Sequence, residues 1–351
     1  MARSGQSDDY FIDDVFEGVD AAPHRKRKPL RTAIIVLVIA VLVAGLGIAG
    51  VLFARQQEFE SLNTFGDPFE ELTARPSREP VEESNLDPVT FLILGSDSRI
   101  SAGDAADWEP GAQRTDAIML VQVAGNRRSV AVMSIPRDSW VDIPGVGEAK
   151  INAAYSYGGP ALTIETVENL TGVRIDHFAI VDFTSFTELT DLVGGVDLPT
   201  PDGTQHMSGD EALTYVRERY GLPGGDFDRV RRQQVWMKTV FESLLTPEVL
   251  SSPSKLMDVY GTVQDYLSVD EGLSVTGLVE LGSSLRNLSS DGLVFLTAPY
   301  SGTDTSSDGQ SIVLLDEEAV AGLSQAFQED TVKQWVVTHP ELETLDSRPI
   351  E

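Results

Sequence analysis

The run V-T-F-L-I-L at Val89–Leu94 is uncharged and ends at Gly95. A continuous, mostly apolar run of this length, closed by a turn residue, predicts a buried strand. Two similar runs follow, A-I-M-L-V-Q-V at 117–123 and S-V-A-V-M-S-I at 129–135. The turn A-G-N-R-R between these two runs predicts a hairpin. The chain from Val89 onward therefore begins with strands of a largely buried sheet.

Helical patterns alternate with strand patterns along the rest of the chain. Gly172 ends the helix predicted to open at Gly159-Pro160, and a capping box at Ser208–Glu211 begins the helix that carries Arg217. The other predicted elements are a strand at 175–183, helices at 184–192 and 229–245, helices within 256–288, a strand at 292–297 and a helix at 315–327. This alternation predicts an α/β domain, which we expect to be a three-layer α/β/α sandwich with a central mixed β-sheet.

The segment before this domain predicts a membrane anchor. Thr32–Ala54 is uncharged and long enough for a transmembrane helix, which needs about 20 apolar residues. A cleaved signal peptide is the alternative, but the apolar run is too long and no cleavage site stands out. The basic stretch H-R-K-R-K-P-L-R at 24–31 precedes the span, whereas Arg55 is the last basic residue before Arg75. The positive-inside rule then places the N-terminus in the cytoplasm and the chain after the span outside the cell.

These features divide the chain into five expected parts. They are a disordered cytoplasmic tail at 1–31, a transmembrane helix (signal-anchor) at 32–54, an acidic extracellular stalk at 55–87, an extracellular domain at 88–330 and an acidic, peripheral C-terminal tail at 331–351. The expected localisation is the cell membrane, with a single pass.

Composition excludes several classes of protein. The formal net charge of -29 argues against nucleic-acid binding, which normally needs a basic surface. The chain has no cysteine, so disulfides, thiolate zinc sites and cysteine nucleophiles are absent. Its four histidines show no metal-ligand spacing. No G-x-S-x-G elbow and no G-x-x-x-x-G-K-[ST] loop is present, which excludes the common serine hydrolases and P-loop enzymes.

An arginine cluster stands out against this acidic background. The stretch V-R-E-R-Y-G-L-P-G-G-D-F-D-R-V-R-R-Q-Q at Val216–Gln234 contains five arginines, although the chain has only 26 lysines and arginines in total. The planar guanidinium group suits phosphate oxygens, and several such groups can neutralise a diphosphate. The alternative is an arginine-rich helix that pairs with acids on its own surface, and such pairs contribute little stability.

Two aspartates and two basic residues lie next to predicted strand ends. Asp97 follows the first strand and Asp116 comes just before the second. If these strands are antiparallel neighbours, both carboxylates reach one end of the sheet, where two carboxylates and phosphate oxygens could hold Mg²⁺. Arg137, in S-I-P-R-D, also follows a strand, and Lys150 comes soon after. The alternatives are aspartates that cap turns and ordinary charged loop residues.

Taken in order, these segments resemble the LytR-CpsA-Psr family of cell-wall glycopolymer transferases. The resemblance runs over roughly residues 88–240. The matching segments are F-L-I-L-G-S-D-S-R (91–99), R-T-D-A-I-M-L (114–120), S-I-P-R-D-S-W-V-D-I-P-G-V-G (134–147), K-I-N-A-A-Y-S-Y-G-G-P (150–160), V-D-F (181–183), L-V-G-G-V (192–196) and the stretch 212–234. Asp228 departs from the pattern, because a small residue is frequent there.

The resemblance implies an enzyme at the outer face of the cytoplasmic membrane. It would transfer a phosphoglycosyl polymer from a polyprenyl-diphosphate carrier to an acceptor hydroxyl of peptidoglycan, with Mg²⁺ or Mn²⁺, and cleave the diphosphate when no acceptor is present. The polyprenyl tail would lie in an apolar pocket between the strands and the helices at 161–192 and 229–245. The alternatives are a membrane-anchored regulatory or binding protein without catalysis, and transfer of the glycopolymer to a surface protein.

The resemblance also implies roles for individual residues. Asp97 and Asp116 would hold or orient the metal. Because the acceptor hydroxyl must also lose a proton, Asp97 is the nearest candidate for the base, and the sequence leaves open whether it acts as base, metal ligand or both. The implied catalytic residues are Asp97, Arg99, Asp116 and Arg137. The implied diphosphate-binding residues are Arg99, Arg137, Lys150, Arg217, Arg219, Asp226, Arg229 and Gln233. Arg231 and Arg232 are expected to face solvent or acidic neighbours.

Overall fold

The computed structural model describes residues 63–65, 67–78, 86–96, 115–218, 222–244, 267–273, 281, 284–285, 288, 290–345 and 347. The predicted cytoplasmic tail at 1–31 and the predicted transmembrane helix at 32–54 lie outside these residues, as do Asp97, Arg99 and Arg219. Within the described ranges, no helix has the length and apolar character needed to cross a membrane. The membrane span therefore stays a prediction from the sequence.

A seven-stranded mixed sheet forms the centre of the fold. Its strands, in chain order, are β1 (Asn63–Phe65), β2 (Val89–Ser96), β3 (Thr115–Val123) and β4 (Val130–Ser134), then β7 (His177–Asp182), β10 (Leu267–Asp270) and β11 (Leu293–Thr297). Three two-stranded hairpins flank the sheet: β5 (Trp140–Ile143) with β6 (Gly147–Lys150), β8 (Val196–Thr200) with β9 (Gly203–Met207), and β12 (Tyr300–Thr305) with β13 (Ser311–Leu315). The order across the sheet is β1-β10-β7-β2-β3-β4-β11.

The pairing of neighbouring strands makes the sheet mixed, as the sequence predicts. β2 is antiparallel to β3, and β3 is antiparallel to β4, which confirms the predicted hairpin. β7 runs parallel to β2, β11 runs parallel to β4, and β1 runs parallel to β10, whereas β10 and β7 are antiparallel. Residues 90–94 of β2, at the centre of this sheet, are buried on both faces, which fits their nearly continuous apolar sequence.

The described helices are α1 (Ala153–Thr171), α2 (Phe183–Leu192), α3 (Gly209–Arg217), α4 (Asp226–Leu244), α5 (Glu317–Gln328) and α6 (Val332–Thr338). Gly172 ends α1 in the left-handed conformation, with φ 62°, as its position predicts. The capping box at Ser208 and Glu211 begins α3. Helix α1 starts earlier than predicted, at Ala153, and it is kinked because Gly159 has φ 61° and ψ -152°.

Helices lie on both faces of the sheet. Side chains of successive strand residues point to opposite faces, so Phe91 and Ile93 join one apolar cluster while Leu92 and Leu94 join another. The first cluster contains apolar residues of α2, α3 and α4. The second contains apolar residues of α1, α5 and α6. The first of these layers carries most of the arginine cluster.

Two elements differ from the sequence-based expectation. Leu267–Asp270 is strand β10, although it lies inside a stretch predicted to be helical, and Ser311–Leu315 is strand β13, so the following helix begins only at Glu317. β10 is short and is stabilised by pairing with β1 and β7, which are distant in sequence. The buried Asp270 also accepts a hydrogen bond from the backbone N–H of Phe178 at 2.9 Å. Such long-range contacts leave no local periodicity.

The predicted stalk and tail both contribute to the folded domain. Within 55–87, β1 pairs with β10, and the guanidinium group of Arg75 lies 2.7 Å from the buried carboxylate of Glu168 in α1. Within 331–351, α6 packs on the domain, and Leu345 is buried in the first apolar cluster. The predicted tail therefore contributes Val332, Leu342 and Leu345 to the buried part of the domain, while most of its other described side chains are exposed or half-buried. The acidic composition of these segments reflects their exposed side chains, while their few apolar residues face the core.

Candidate active site

The antiparallel pairing of β2, β3 and β4 brings polar residues to one edge of the sheet. Asp116, near the start of β3, is adjacent to the end of β2, where Gly95 pairs with Ala117. The chain leaving β4 continues beside β3, since the N–H of Ile135 donates to the carbonyl of Ile118 at 2.8 Å. Arg137 is thereby placed next to Asp116, and its Nη1 donates to Asp116 Oδ1.

Helix α4 presents three predicted site residues on one face. Asp226, Arg229 and Gln233 are spaced i, i+3 and i+7, so they lie along the same side of the helix. Arg229 Nη2 is 2.7 Å from Asp226 Oδ1, and Arg229 Nη1 is 3.9 Å from Asp116 Oδ1. Arg229 is only 1% exposed, so its charge is held by these two carboxylates away from bulk water. The helix and the sheet edge thus share one charged network.

A tight turn fixes where α4 begins. The buried Asp228 accepts a hydrogen bond from the backbone N–H of Gly224 at 2.6 Å. Gly225 has φ 57°, a conformation that favours glycine. A Cβ atom on Gly224 would lie 2.5 Å from Asp228 Oδ1, so a larger residue there would displace the Asp228 carboxylate from its hydrogen bond with the Gly224 N–H. Asp228, which departs from the family pattern, therefore stabilises the turn in this chain.

Lys150 belongs to the same network through a residue that the sequence-based reasoning did not single out. Lys150 Nζ, at the end of β6, lies 3.0 Å from Asp138 Oδ1, and Arg137 Nε lies 3.8 Å from Asp138 Oδ2. Asp138 follows Arg137 directly in S-I-P-R-D, and this adjacency was the available signal. The carboxylate of Asp138 therefore joins Lys150 to Arg137 and to the sheet edge.

An apolar cavity opens beside this network between the sheet and helices α2, α3 and α4. It encloses about 740 Å³, open solvent included. Its polar lining residues are Asp116, Arg217, Arg229 and Gln233. Its apolar lining residues are Ile93, Leu94, Ala117, Met119, Val181, Phe186, Leu213, Val216, Trp236 and Met237.

The polar and apolar parts of the cavity are separated along the strands and along α4. Asp116 and Gly95 lie at the sheet edge, whereas Met119 and Ile93 lie further along their strands. On α4, Arg229 comes first and Trp236 lies about two turns later, stacked on Phe186 with ring centroids 3.8 Å apart. The charged groups therefore lie at one end of the apolar cavity. Helix α1, predicted as part of the wall, packs instead on the opposite face of the sheet.

The arginine cluster divides into two groups. Arg217, exposed at the end of α3, and Arg229 both line the cavity. Solvent or acidic neighbours were expected around Arg231 and Arg232, but the two residues are only 1% and 6% exposed, so neither faces solvent. The guanidinium group of Arg232 lies 4.2 Å above the ring of Tyr215, while Arg231 has an acidic neighbour, Glu343, at 3.6 Å. Helix α4 is enclosed on most sides, which composition alone does not indicate.

The two adjacent glutamines of α4 have different environments. Gln233 lines the cavity, as the resemblance implies. Gln234 is buried and donates from Nε2 to Ser134 Oγ at 3.0 Å and to the carbonyl of Leu296 at 3.1 Å. Gln234 therefore connects α4 to β4 and β11, and its neighbour is left to face the cavity.

The residues present are compatible with a magnesium ion bound mainly through phosphate oxygens. In the described part of the chain, no three histidine, cysteine, aspartate or glutamate side chains cluster as a ready-made metal site. Asp116 provides one carboxylate at the cavity, and Asp97, the second predicted ligand, lies outside the described residues. Mg²⁺ commonly uses one or two carboxylates together with phosphates and water. This donor set fits that pattern.

Comparisons with known proteins agree with the fold. The sequence model of the LytR_cpsA_psr family matches residues 59–329. The cell wall biosynthesis protein LcpA of Corynebacterium glutamicum is 30% identical over 285 residues, covering 67% of this chain and 54% of that protein. The chain thus spans about half the length of this relative.

Two solved structures share the fold. The crystal structure of TagV from B. subtilis has 25% sequence identity and a TM-score of 0.58, covering 70% of this chain and 97% of TagV. A structure of TagT bound to LIIa-WTA has 23% identity and a TM-score of 0.53, covering 74% of this chain and 96% of TagT. The fold described above is therefore the fold of these proteins.

Proposed function

The chain belongs to the LytR_cpsA_psr family, and on this premise we propose that it transfers a phosphoglycosyl polymer from a polyprenyl diphosphate to a hydroxyl group of peptidoglycan. Its family and relatives support cell-wall glycopolymer transfer in general. The lipid diphosphate donor, the peptidoglycan acceptor and the use of Mg²⁺ are the specific parts of this proposal.

The observation that carries the proposal is the apolar cavity with a charged end. A polyprenyl diphosphate is an apolar chain that ends in two phosphates. The cavity provides Phe186, Trp236 and Met119 for an apolar chain, and Arg217 and Arg229 for an anionic group at its end. TagT, which shares the fold, has been captured with LIIa-WTA. A soluble nucleotide or sugar phosphate would leave the apolar part of this cavity without a partner.

Arginine residues at the charged end would bind the diphosphate. Arg217 is exposed at the end of α3, so its guanidinium group can reach a ligand at the mouth. The carboxylate of Asp226 forms an ion pair with Arg229, and this pair orients the guanidinium group toward the cavity. Each charge-assisted hydrogen bond to phosphate contributes about 1.5–3 kcal/mol. Gln233, one turn further along α4, can donate from its side-chain amide.

The proposed reaction is a displacement at phosphorus. The acceptor oxygen forms a bond to the phosphorus that carries the sugar, and the bond from that phosphorus to the bridging oxygen breaks. Polyprenyl phosphate leaves with the bonding electrons, and the acceptor proton passes to a base, for which Asp97 is our candidate. Arginines around the diphosphate stabilise the charge that develops on its oxygens. When bound, Mg²⁺ would supply further neutralisation of the phosphate oxygens next to Asp116.

Arg137 has a positioning role in this scheme. Its Nη1 donates to Asp116, so it fixes the orientation of that carboxylate. Arg137 Nε is buried and lies 3.8 Å from Asp138 Oδ2, so the guanidinium group is held between two carboxylates. The ion pair between Lys150 and Asp138 continues this charged network to the end of β6. The predicted membrane span at 32–54 would keep the cavity near the bilayer, where the lipid donor resides.

The proposal is tested by following release of polyprenyl phosphate from a lipid-linked sugar diphosphate with purified protein. We expect Mg²⁺-dependent release, and a reduction of about 10²–10³ in kcat for Arg217→Ala. Arg128→Ala is the matched control, because Arg128 is an exposed arginine in the β3–β4 turn, away from the cavity. Release that is absent from the folded wild-type protein, or equal in Arg217→Ala and Arg128→Ala, contradicts the enzyme proposal and favours a non-catalytic binding or regulatory protein.

A further inference from the structure

A short segment at Glu343–Leu345 adds to the free edge of the central sheet. The N–H of Thr297 donates to the carbonyl of Glu343 at 3.1 Å, and the N–H of Leu345 donates to the carbonyl of Phe295 at 3.0 Å. Leu296 and Thr344 form an antiparallel bridge between these bonds. The segment lies beyond the family match, which ends at residue 329. We call Glu343–Leu345 the strap.

Helix α4 binds the outer side of the strap. Arg231 donates from Nη1 to the carbonyl of Thr344 at 2.9 Å and from Nη2 to the carbonyl of Leu345 at 3.0 Å. Arg231 is 1% exposed, its bond to the Leu345 carbonyl is buried, and its bond to the Thr344 carbonyl is partly buried. A buried carbonyl left without a donor costs about 1–3 kcal/mol. The strap and Arg231 therefore hold each other in place.

A second contact joins the strap to the first turn of α4. The hydroxyl of Tyr300 donates to Glu343 Oε2 at 3.0 Å. The ring of Tyr300 stacks on Phe227, with centroids 3.9 Å apart and an interplanar angle of 14°. Phe227 is the neighbour of Asp226, which holds Arg229 at the cavity. The strap thus contacts α4 directly at Arg231 and, through Tyr300, at Phe227, and these two positions lie on either side of Arg229.

We propose that the strap is a positioning element of the active site, which fixes the first turns of α4 so that Arg229, held by Asp226, and Gln233 face the cavity. Arg231 and Tyr300 are positioning residues in this scheme, because they face away from the cavity and act through the helix. The consequence for catalysis rests on the function proposed above, whereas the effect on α4 does not. A diphosphate bound by arginines at fixed separations requires such a rigid helix end.

The test compares Arg231→Met with Arg127→Met in the full chain. Arg127 is the matched control, because it also donates to backbone carbonyls, those of Ala124 and Asp87, but at the β3–β4 turn. We expect amide hydrogen exchange at residues 226–233 to become at least about tenfold faster in Arg231→Met, with exchange in β2–β4 unchanged. Arg127→Met should leave exchange at 226–233 unchanged. Arg231→Lys, which keeps one donor, should fall between wild type and Arg231→Met.

The kinetic readout separates positioning from general destabilisation. For Arg231→Met we expect kcat to fall at least about tenfold at a temperature where the variant is fully folded, with partial recovery in Arg231→Lys. If Arg231→Met does not fold, Tyr300→Phe takes its place, because it keeps the ring stack and removes the bond to Glu343. Unchanged exchange at 226–233 in the folded variant overturns the proposal. Faster exchange in a chain whose wild type shows no transfer would support the strap and contradict the proposed function.

Discussion

Replacement of Arg229 by methionine should separate its contribution to stability from its contribution to catalysis. The guanidinium group of Arg229 lies 2.7 Å from Asp226 Oδ1 and 3.9 Å from Asp116 Oδ1, and the residue is 1% exposed. Removing one partner of a fully buried ion pair costs about 3–5 kcal/mol. The carboxylates are partly solvated, with side-chain exposures of 22% for Asp226 and 16% for Asp116. We therefore expect Arg229→Met to lower the free energy of unfolding by about 2–3 kcal/mol.

A second substitution should restore stability without restoring activity. In the double variant Arg229→Met with Asp226→Asn, no charge of the original pair remains, so we expect at least half of the lost free energy of unfolding to return. Release of polyprenyl phosphate should stay about 10²–10³ below wild type in both variants, because the phosphate-binding cation is missing from both. Urea unfolding and the release assay provide the two measurements. Recovery of activity together with stability in the double variant would refute a direct role of Arg229 at the phosphates.

Three further predictions follow from the same geometry. Gly224→Ala should lower the melting temperature, measured by calorimetry, with a loss of about 1–3 kcal/mol, because its Cβ would lie 2.5 Å from Asp228 Oδ1; an unchanged melting temperature contradicts this. Leu213→Trp, which fills the cavity, should raise KM for a long-chain donor about tenfold and leave the affinity for inorganic pyrophosphate unchanged; equal effects on both ligands would count against an apolar site for the lipid. Burial raises the pKa of Tyr155 from 10.0 to about 12, so the neutral phenol stabilises the fold: this contribution is full below pH 10.0 and is lost as the pH rises toward about 12. Urea unfolding of Tyr155→Phe should show a weaker loss of stability over that interval than wild type, and identical pH profiles would contradict the assignment.

The sequence predicts the central strands and the family well because their signals are local. Residues 90–94 of the first apolar run are buried on both faces, and the capping box at Ser208 satisfies backbone groups within one turn. Strand β10 was missed because its pairing partners are remote in sequence, and short strands carry little periodicity of their own. The acidic composition of residues 331–351 likewise predicts a peripheral tail, although Leu345 is buried.

Candidate residues of the site can be predicted from the sequence, but their arrangement in space cannot. The ordered motifs predict that Asp116, Arg137 and Arg229 belong to one site, and the structure brings these residues together at the sheet edge. Which arginine of α4 lines the cavity and which ones bind other parts of the protein depends on the segments that pack around the helix. Arg231 binds backbone carbonyls of a segment more than a hundred residues away, for which a sequence pattern offers no signal. Charge density thus indicated a ligand, whereas three-dimensional packing decides which arginines can reach it.

The most direct test of the central claim compares the binding of geranylgeranyl diphosphate with that of geranylgeraniol by titration calorimetry. If the cavity binds a lipid through arginines at its charged end, the diphosphate should bind at least about 100-fold more tightly than the alcohol, as two charge-assisted contacts imply. Arg217→Ala should reduce that difference to about tenfold, because the contact from Arg229 remains, and should leave the affinity for the alcohol unchanged. Equal affinities of the wild type for the two ligands, or a difference that is undiminished in Arg217→Ala, would contradict the account.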